Sequence, residues 1–281
     1  MTLPKYEDHY VKVGGKNVRY WVEGEGPAVI LVHGLTCSAE FWQYNVAPLS
    51  QQYRVYALDL IGFGRSDKGV GEFSLPYGAA FIADFMDALG IERATLVGTS
   101  MGGAICAQFA AQFLPRLEKL ILVDSAAFGR ELSLILRSWS FPIVGRVIFS
   151  LYQRLFPLII RWAFYDRGSV DREWISGAAA MLRMPGVKES SLEVIRIGVD
   201  IRGQRDELLH DLHRQLRNMP APTLIIWGSH DSAVPVSHAY AAQKLIPNSR
   251  VQMIDRSNHM PQLERPQEFN QLVLDFLSEG E

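Results

Sequence analysis

Apolar residues follow two alternating rhythms along the chain. From His9 to Glu23 apolar and polar residues alternate around Gly14-Gly15, which predicts a hairpin with one wet face. After the turn at Gly24 to Pro27, Ala28-Val29-Ile30-Leu31-Val32 is apolar at every position and rich in β-branched residues, as a strand covered on both faces requires. Tyr53 to Leu58, Ala94 to Val97, Leu120 to Val123, Thr223 to Trp227 and Arg250 to Ile254 read as further strands. Between them helical spacing appears over Ala79 to Leu89, with Phe81, Ile82, Phe85 and Leu89 on one face, then over Gly102 to Leu114, Ser237 to Leu245 and Pro266 to Leu277. This alternation predicts an α/β fold: a mostly parallel, doubly wound sheet with the hairpin at its antiparallel edge. Functional groups should gather where loops leave the carboxyl ends of strands.

Between Ser125 and Arg217 the alternation stops and a helical, Trp- and Arg-containing stretch takes over, until Pro220-Ala221-Pro222 restarts it. The simplest organisation is a core of residues 1–124 and 218–281 with a helical cap inserted at 125–217. Arginines and prolines interrupt the longest apolar region, Leu132 to Phe164, so no run approaches the roughly 20 residues that span a bilayer. No fixed-period repeat or low-complexity tract suggests a solenoid or a linker.

Composition narrows the function classes. With 48% apolar residues in 281, one large core is sustainable, and a net charge of -2 offers no basic field for nucleic acid. Cys37 and Cys106 are too few for a disulfide framework and lack metal-ligand spacing, and Met1 to Tyr10 lacks an apolar leader region. The expectation is a cytoplasmic protein acting on a small molecule.

The chemistry centres on Thr95-Leu96-Val97-Gly98-Thr99-Ser100-Met101-Gly102-Gly103. A bare Gly-x-Ser-x-Gly arises by chance in roughly one chain in ten of this length. Here a strand precedes it and an Ala-rich helix follows, the context of a strained turn that exposes a serine and leaves room only for glycine on either side. Ser100 is the candidate nucleophile; a plain helix cap is the alternative. Its base is expected to be His259, in the loop Asp255-Arg256-Ser257-Asn258-His259-Met260-Pro261 after the last strand. His33, His210, His213, His230 and His238 suit ordinary polar packing. A buried carboxylate must hold the imidazole in one tautomer. Asp231 closes Leu224-Ile225-Ile226-Trp227-Gly228-Ser229-His230-Asp231 and gives the order Ser, Asp, His; Asp124, at the end of the strand after the nucleophile helix, is its rival. Two backbone donors for an oxyanion are expected at Met101 and at Leu35, the latter in His33-Gly34-Leu35-Thr36.

With Val32-His33-Gly34, Leu58-Asp59-Leu60-Ile61-Gly62-Phe63-Gly64-Arg65-Ser66, the Ser100 turn, Trp227-Gly228-Ser229-His230-Asp231 and His259 in order, the chain resembles the α/β-hydrolase superfamily outside the cap. Its look-alikes are cap-bearing esterases, meta-cleavage-product C–C hydrolases and cofactor-free haloperoxidases, to which Pro261-Gln262-Leu263-Glu264-Arg265-Pro266 is also similar. The resemblance implies no metal and no organic cofactor. Branches with an aspartate nucleophile, the haloalkane dehalogenases and epoxide hydrolases, differ at Ser100. C–C hydrolases usually carry an aromatic residue after the histidine, where Met260 stands, and an arginine in the cap, for which Arg183, Arg196 and Arg202 are candidates.

Arginines at 130, 137, 146, 154, 161 and 167 punctuate the apolar stretch from Gly129 to Arg167, opposed only by Glu131 and Asp166. Its apolar side would roof a pocket for a greasy acyl or aromatic substrate. The arginines read as a solvated amphipathic face in preference to a lipid-contacting one, since arginine stems commonly lie along apolar surface. The expected reaction is acyl transfer through Ser100, with a C–C hydrolase or a non-catalytic ligand receptor on the same fold as alternatives.

Overall fold

The runs that are apolar at every position occupy the middle of an eight-stranded sheet in the computed structural model, which describes residues 5–69, 73–168 and 170–279. Met1 to Pro4 of the segment read for a leader lie outside the described residues. The strands are β1 (His9–Val13), β2 (Lys16–Glu23), β3 (Ala28–Val32), β4 (Arg54–Leu58), β5 (Ala94–Thr99), β6 (Leu117–Val123), a separate two-stranded ribbon β7 (Val199–Asp200) and β8 (Gly203–Gln204), then β9 (Thr223–Gly228) and β10 (Ser249–Ile254). The main sheet runs β1-β2-β4-β3-β5-β6-β9-β10. Only the β1–β2 and β2–β4 pairings are antiparallel, so the hairpin forms the edge its alternation predicted.

β3 shows why a central strand must be apolar throughout. Ile30 and Val32 join the core on one face of the sheet, whereas Val29 and Leu31 join the core on the other. The first core includes the helices Leu75–Ala88 and Met101–Gln112; the second includes Trp42, Phe269 and the helix Pro266–Ser278. β4 lies on one side of β3 and β5 on the other, so the chain reverses direction at β3 and opens a crevice at the strand carboxyl ends.

Several boundaries move for local reasons. The helix expected from Ala79 begins at Leu75, because Ser74 Oγ accepts the Tyr77 N–H and Pro76 suits the first turn. The helix after Ser100 stops at Gln112, and Leu114–Arg116, containing Pro115, forms a 3-10 turn before β6.

Between β6 and β9 lie the helices Leu134–Ser138, Val144–Ile159, Arg172–Leu182, Val187–Gly198 and Asp206–Leu216. The reading of this stretch as helical did not anticipate the β7–β8 ribbon, whose Gln204 bonds the Ala127 N–H and the Gly129 carbonyl. The last helix packs back on Met101–Gln112.

Candidate active site

Ser100 stands between β5 and its following helix at φ 54°, ψ -118°, a conformation L-residues rarely adopt. Its own N–H donates to Val123 O at 2.9 Å, and its carbonyl accepts from Ala126 N at 3.0 Å, fixing the turn to β6. The glycines around it are sites of close approach. A Cβ on Gly98 would lie 2.4 Å from Gly102 O, one on Gly102 would lie 2.3 Å from Val32 O, and one on Gly103 would lie 2.4 Å from Ser125 Oγ. Thr36 and Ala127, which border the cavity, and Asp124 behind it also have positive φ, so backbone strain concentrates at the ends of β3, β5 and β6.

Ser100 and His259 face one cavity of about 510 Å³, as do Leu35 and Met101. Met101 is the first residue of its helix, where the N–H has no intrahelical acceptor. His259 Nδ1 lies 2.8 Å from Asp231 Oδ2, whose side chain is fully buried. Asp231 Oδ1 accepts from Ala233 N at 2.7 Å and Val234 N at 2.9 Å, so the carboxylate is held from two sides. Burial opposes a charged imidazole, but the Asp231 charge and hydrogen bond outweigh it and hold His259 above its ordinary pKa.

Asp124 does not compete with Asp231 for a place in space; it sits beside it. One donor atom each from Asp124, Asp231 and His259 lies within 4.8 Å of the others. Asp124 Oδ1 accepts the Gly228 N–H at 2.9 Å, and Oδ2 is buried with no N–H donor among the described residues. Burial, and then the neighbouring Asp231 charge, push Asp124 well above the usual carboxylate range. The shift favours the protonated form, whose proton is directed towards Asp231. A metal ion at this set would have to displace existing bonds, since Asp231 and His259 are engaged with each other and Asp231 also with backbone amides.

The histidine loop is clamped by a residue whose role no local pattern in the sequence marks. Glu264 Oε1 accepts Asn258 N at 2.7 Å and Ser257 Oγ at 3.1 Å, and Oε2 accepts Tyr165 N at 2.6 Å. Asn258 Oδ1 in turn accepts Ser232 N at 2.8 Å, tying the His259 loop to the Asp231 loop. The other missed residue is Gln262. It borders the cavity, and neither its amide oxygen nor its nitrogen has a partner among the described residues.

The remaining histidines lie apart. His33 is buried, with Nε2 accepting the Leu60 N–H at 3.0 Å and Nδ1 at 2.7 Å from Gly34 O; burial lowers its pKa to about 4, so it stays neutral and braces the loop carrying Leu35. His238 meets Glu131 at 3.1 Å, His213 bonds Ala127 O, and His230 packs on Tyr165. His210 is exposed. Behind His33, the Asp59 carboxylate accepts from Ala39 N and Arg65 N and pairs with the buried Arg19 at 3.2 Å. A Cβ on Gly64 would fall 2.1 Å from Asp59 Oδ2, which explains that glycine.

The cavity wall is apolar. Phe41, Leu75, Trp139, Phe156, Ile160 and Val194 contribute, and among the described residues no Lys, Arg, Asp or Glu lines it. Arg183 binds the Gln153 carbonyl, Arg196 the Pro142 carbonyl, and Arg202 lies exposed in the turn of the ribbon, all outside the cavity.

Known proteins resemble the chain in sequence and in fold. The chain is 33% identical over 272 residues to the 2-hydroxy-6-oxo-6-phenylhexa-2,4-dienoate hydrolase of Comamonas testosteroni, covering 92% of this chain and 91% of that one. It superposes on a meta-cleavage product hydrolase from Pseudomonas fluorescens IP01 with a TM-score of 0.82 at 26% identity, over 99% of both chains. It is also similar to a membrane phospholipase A described as a bacterial virulence factor, with a TM-score of 0.76 at 26% identity over 97% of this chain and 86% of that one. A family model for the alpha/beta hydrolase fold matches residues 27–266, and the chain belongs to the α/β-hydrolase family.

Proposed function

We propose that the protein is a serine hydrolase of carboxylic esters with apolar acyl or aromatic groups, with Ser100 as nucleophile, His259 as general base and Asp231 as the carboxylate that orients it. The observation that carries this reading is the union of Ser100 and His259 in a cavity without a charged wall. With Nδ1 engaged by Asp231, His259 is left to act through Nε2.

Ser100 Oγ attacks the ester carbonyl carbon as its proton passes to His259 Nε2. The resulting oxyanion is held by the amides of Leu35 and Met101, donors aimed in advance at charge that develops only in the transition state. Collapse breaks the bond to the alcohol oxygen, which leaves with the proton from His259. Water then gives a proton to the same nitrogen, attacks the acyl carbon and releases the acid, and the proton returns to Ser100. Gln262 supplies an unpartnered amide to the polar part of the ester.

A C–C hydrolase acting on a meta-cleavage product is the second reading, favoured by the Comamonas relative. Such a dienoate is an anion, and burying its carboxylate without a cationic partner is costly; the wall offers none. The discriminating experiment compares p-nitrophenyl butyrate and octanoate with 2-hydroxy-6-oxo-6-phenylhexa-2,4-dienoate, with mass spectrometry of trapped protein. An acyl adduct on Ser100, sustained ester turnover and none in Ser100→Ala are expected. Dienoate cleavage exceeding ester turnover would overturn the ester reading, and an unlabelled Ser100 in a folded, inactive protein would point to ligand reception.

A further inference from the structure

The helix Val144–Ile159 divides its surface three ways. Gly145, Phe149 and Phe156 are buried. Val144, Val147, Leu151, Leu155 and Leu158 are exposed, and the same stripe continues to Trp162. These positions recur every three or four residues and, at 3.6 residues per turn, fall within an arc of about 80°. Arg154 and Arg161 lie along one edge of that stripe, with Arg146 further round on the same side. The most exposed large apolar side chains of the described residues are its own Leu158 at 72% and Trp162 at 63%, with Ile143 at 79% just before the helix and Leu134 at 76% on the preceding one. Isolated exposed leucines need no explanation, but a contiguous patch of this kind marks an interaction surface. The arginine stems do not cover it.

Charge and position select the occupant. Residues 132–165 contain four arginines and no acidic residue. Arg146 approaches Glu189 at 3.7 Å, whereas Arg137 and Arg161 bond only carbonyl groups and Arg154 meets no carboxylate among the described residues. A second copy docked antiparallel, by a two-fold axis across the helix, would set this cationic edge against itself, since such an interface pairs one patch with the same patch. Anionic lipid headgroups complement it. Trp162, with the Arg167 guanidinium stacked 3.3 Å from its ring centroid, has the amphipathic character of an interfacial anchor. Trp162 and Ile135 also line the cavity that holds Ser100, so the bare apolar surface runs into the cavity wall.

We propose that this face docks on an anionic phospholipid bilayer, with the helix Val144–Ile159 lying in the plane of the interface and Trp162 at the cavity rim set among the acyl chains. Apolar insertion supplies the affinity and the arginines add attraction to the charged surface. The cavity then receives an apolar substrate from the lipid phase without passage through water.

The test is co-sedimentation of Ser100→Ala protein, which on the ester reading hydrolyses no lipid, with vesicles of phosphatidylcholine alone or with 30% phosphatidylglycerol, a composition set by the experiment on the order of that of an anionic bacterial membrane. Protein should pellet with the anionic vesicles, less so as salt rises. Leu158→Glu should weaken partition at least about tenfold, and Arg154→Gln about fivefold. Ile143→Glu, on the loop before the helix, provides an independent second variant, with folding checked by thermal melts. Absence of pelleting by a folded protein would overturn the proposal, as would equal partition into both vesicle types. Light scattering showing a dimer that Leu158→Glu splits, without vesicle binding, would assign the face to self-association instead. Because sedimentation reads no turnover, docking without catalysis and catalysis without docking are separately visible.

Discussion

Replacing Asp124 with Asn separates the two carboxylates that lie beside His259. Asn can keep the accepted Gly228 N–H and direct its NH₂ towards Asp231 as the protonated acid would direct its O–H. What it removes is a proton. In the wild type the native Asp124 pKa is raised, while the unfolded side chain titrates near 4. Native protein therefore binds more protons than unfolded protein from about pH 4 up to the raised native value. The stabilisation is fully present below the unfolded pKa and is lost as pH rises through the folded one, at up to about 1.4 kcal/mol per pH unit. Urea titrations of wild type and Asp124→Asn at half-unit steps from about pH 4 should give a difference curve with this slope. Glu264, also raised by burial, titrates in both proteins, so the difference curve isolates Asp124 together with its coupling to Glu264. Activity should part in the opposite way: Asp124→Asn stays within about fivefold of wild-type kcat/KM, whereas Asp231→Asn, which imposes the wrong histidine tautomer, loses about 10⁴-fold. A flat difference curve would refute the protonated Asp124, and a larger activity loss in Asp124→Asn than in Asp231→Asn would make Asp124 the triad acid.

Other outcomes follow from the same geometry. Ser100→Gly should be inactive yet more stable by about 1 kcal/mol in a urea melt, because glycine relieves positive-φ strain at a smaller entropic cost; lower stability would deny the strain. Arg19→Met should destabilise by about 3–5 kcal/mol, since it strands the fully buried Asp59 carboxylate and removes the partner of Asp8 and Glu40. A change below 1 kcal/mol in chemical denaturation would show the cluster to be dispensable. Ester turnover should rise with pH through a single ionisation above the ordinary histidine value, because His259 must be neutral to accept a proton and Asp231 raises its pKa. The linked stability runs the other way: it is fully present below the unfolded histidine pKa and is lost as pH rises through the folded one. A pH–rate midpoint below 6.5, the ordinary histidine pKa, would contradict the pairing.

What the sequence determined by itself is whatever depends on neighbours along the chain. Runs such as Ala28 to Val32 are apolar at every position because both faces are covered, and that fixed central strands and a doubly wound sheet. Gly98, Gly102 and Gly103 around Ser100 marked a turn too tight for side chains, and the close approaches at each account for the motif. Strand ends pointed to His259 and Asp231 because loops there converge at the crevice. Tertiary structure decided what depends on residues far apart. Asp124 and Asp231, read as rivals in sequence, are neighbours, since β6 and β9 pair side by side and deliver both carboxyls to one buried spot where two charges cannot coexist. Glu264 became a clamp only when its helix brought it under the His259 loop. Which arginines face the cavity could not be read from spacing, because the helices between β6 and β9 pack by three-dimensional fit; that packing turns Arg183, Arg196 and Arg202 away from the cavity and leaves an apolar helical stripe facing out.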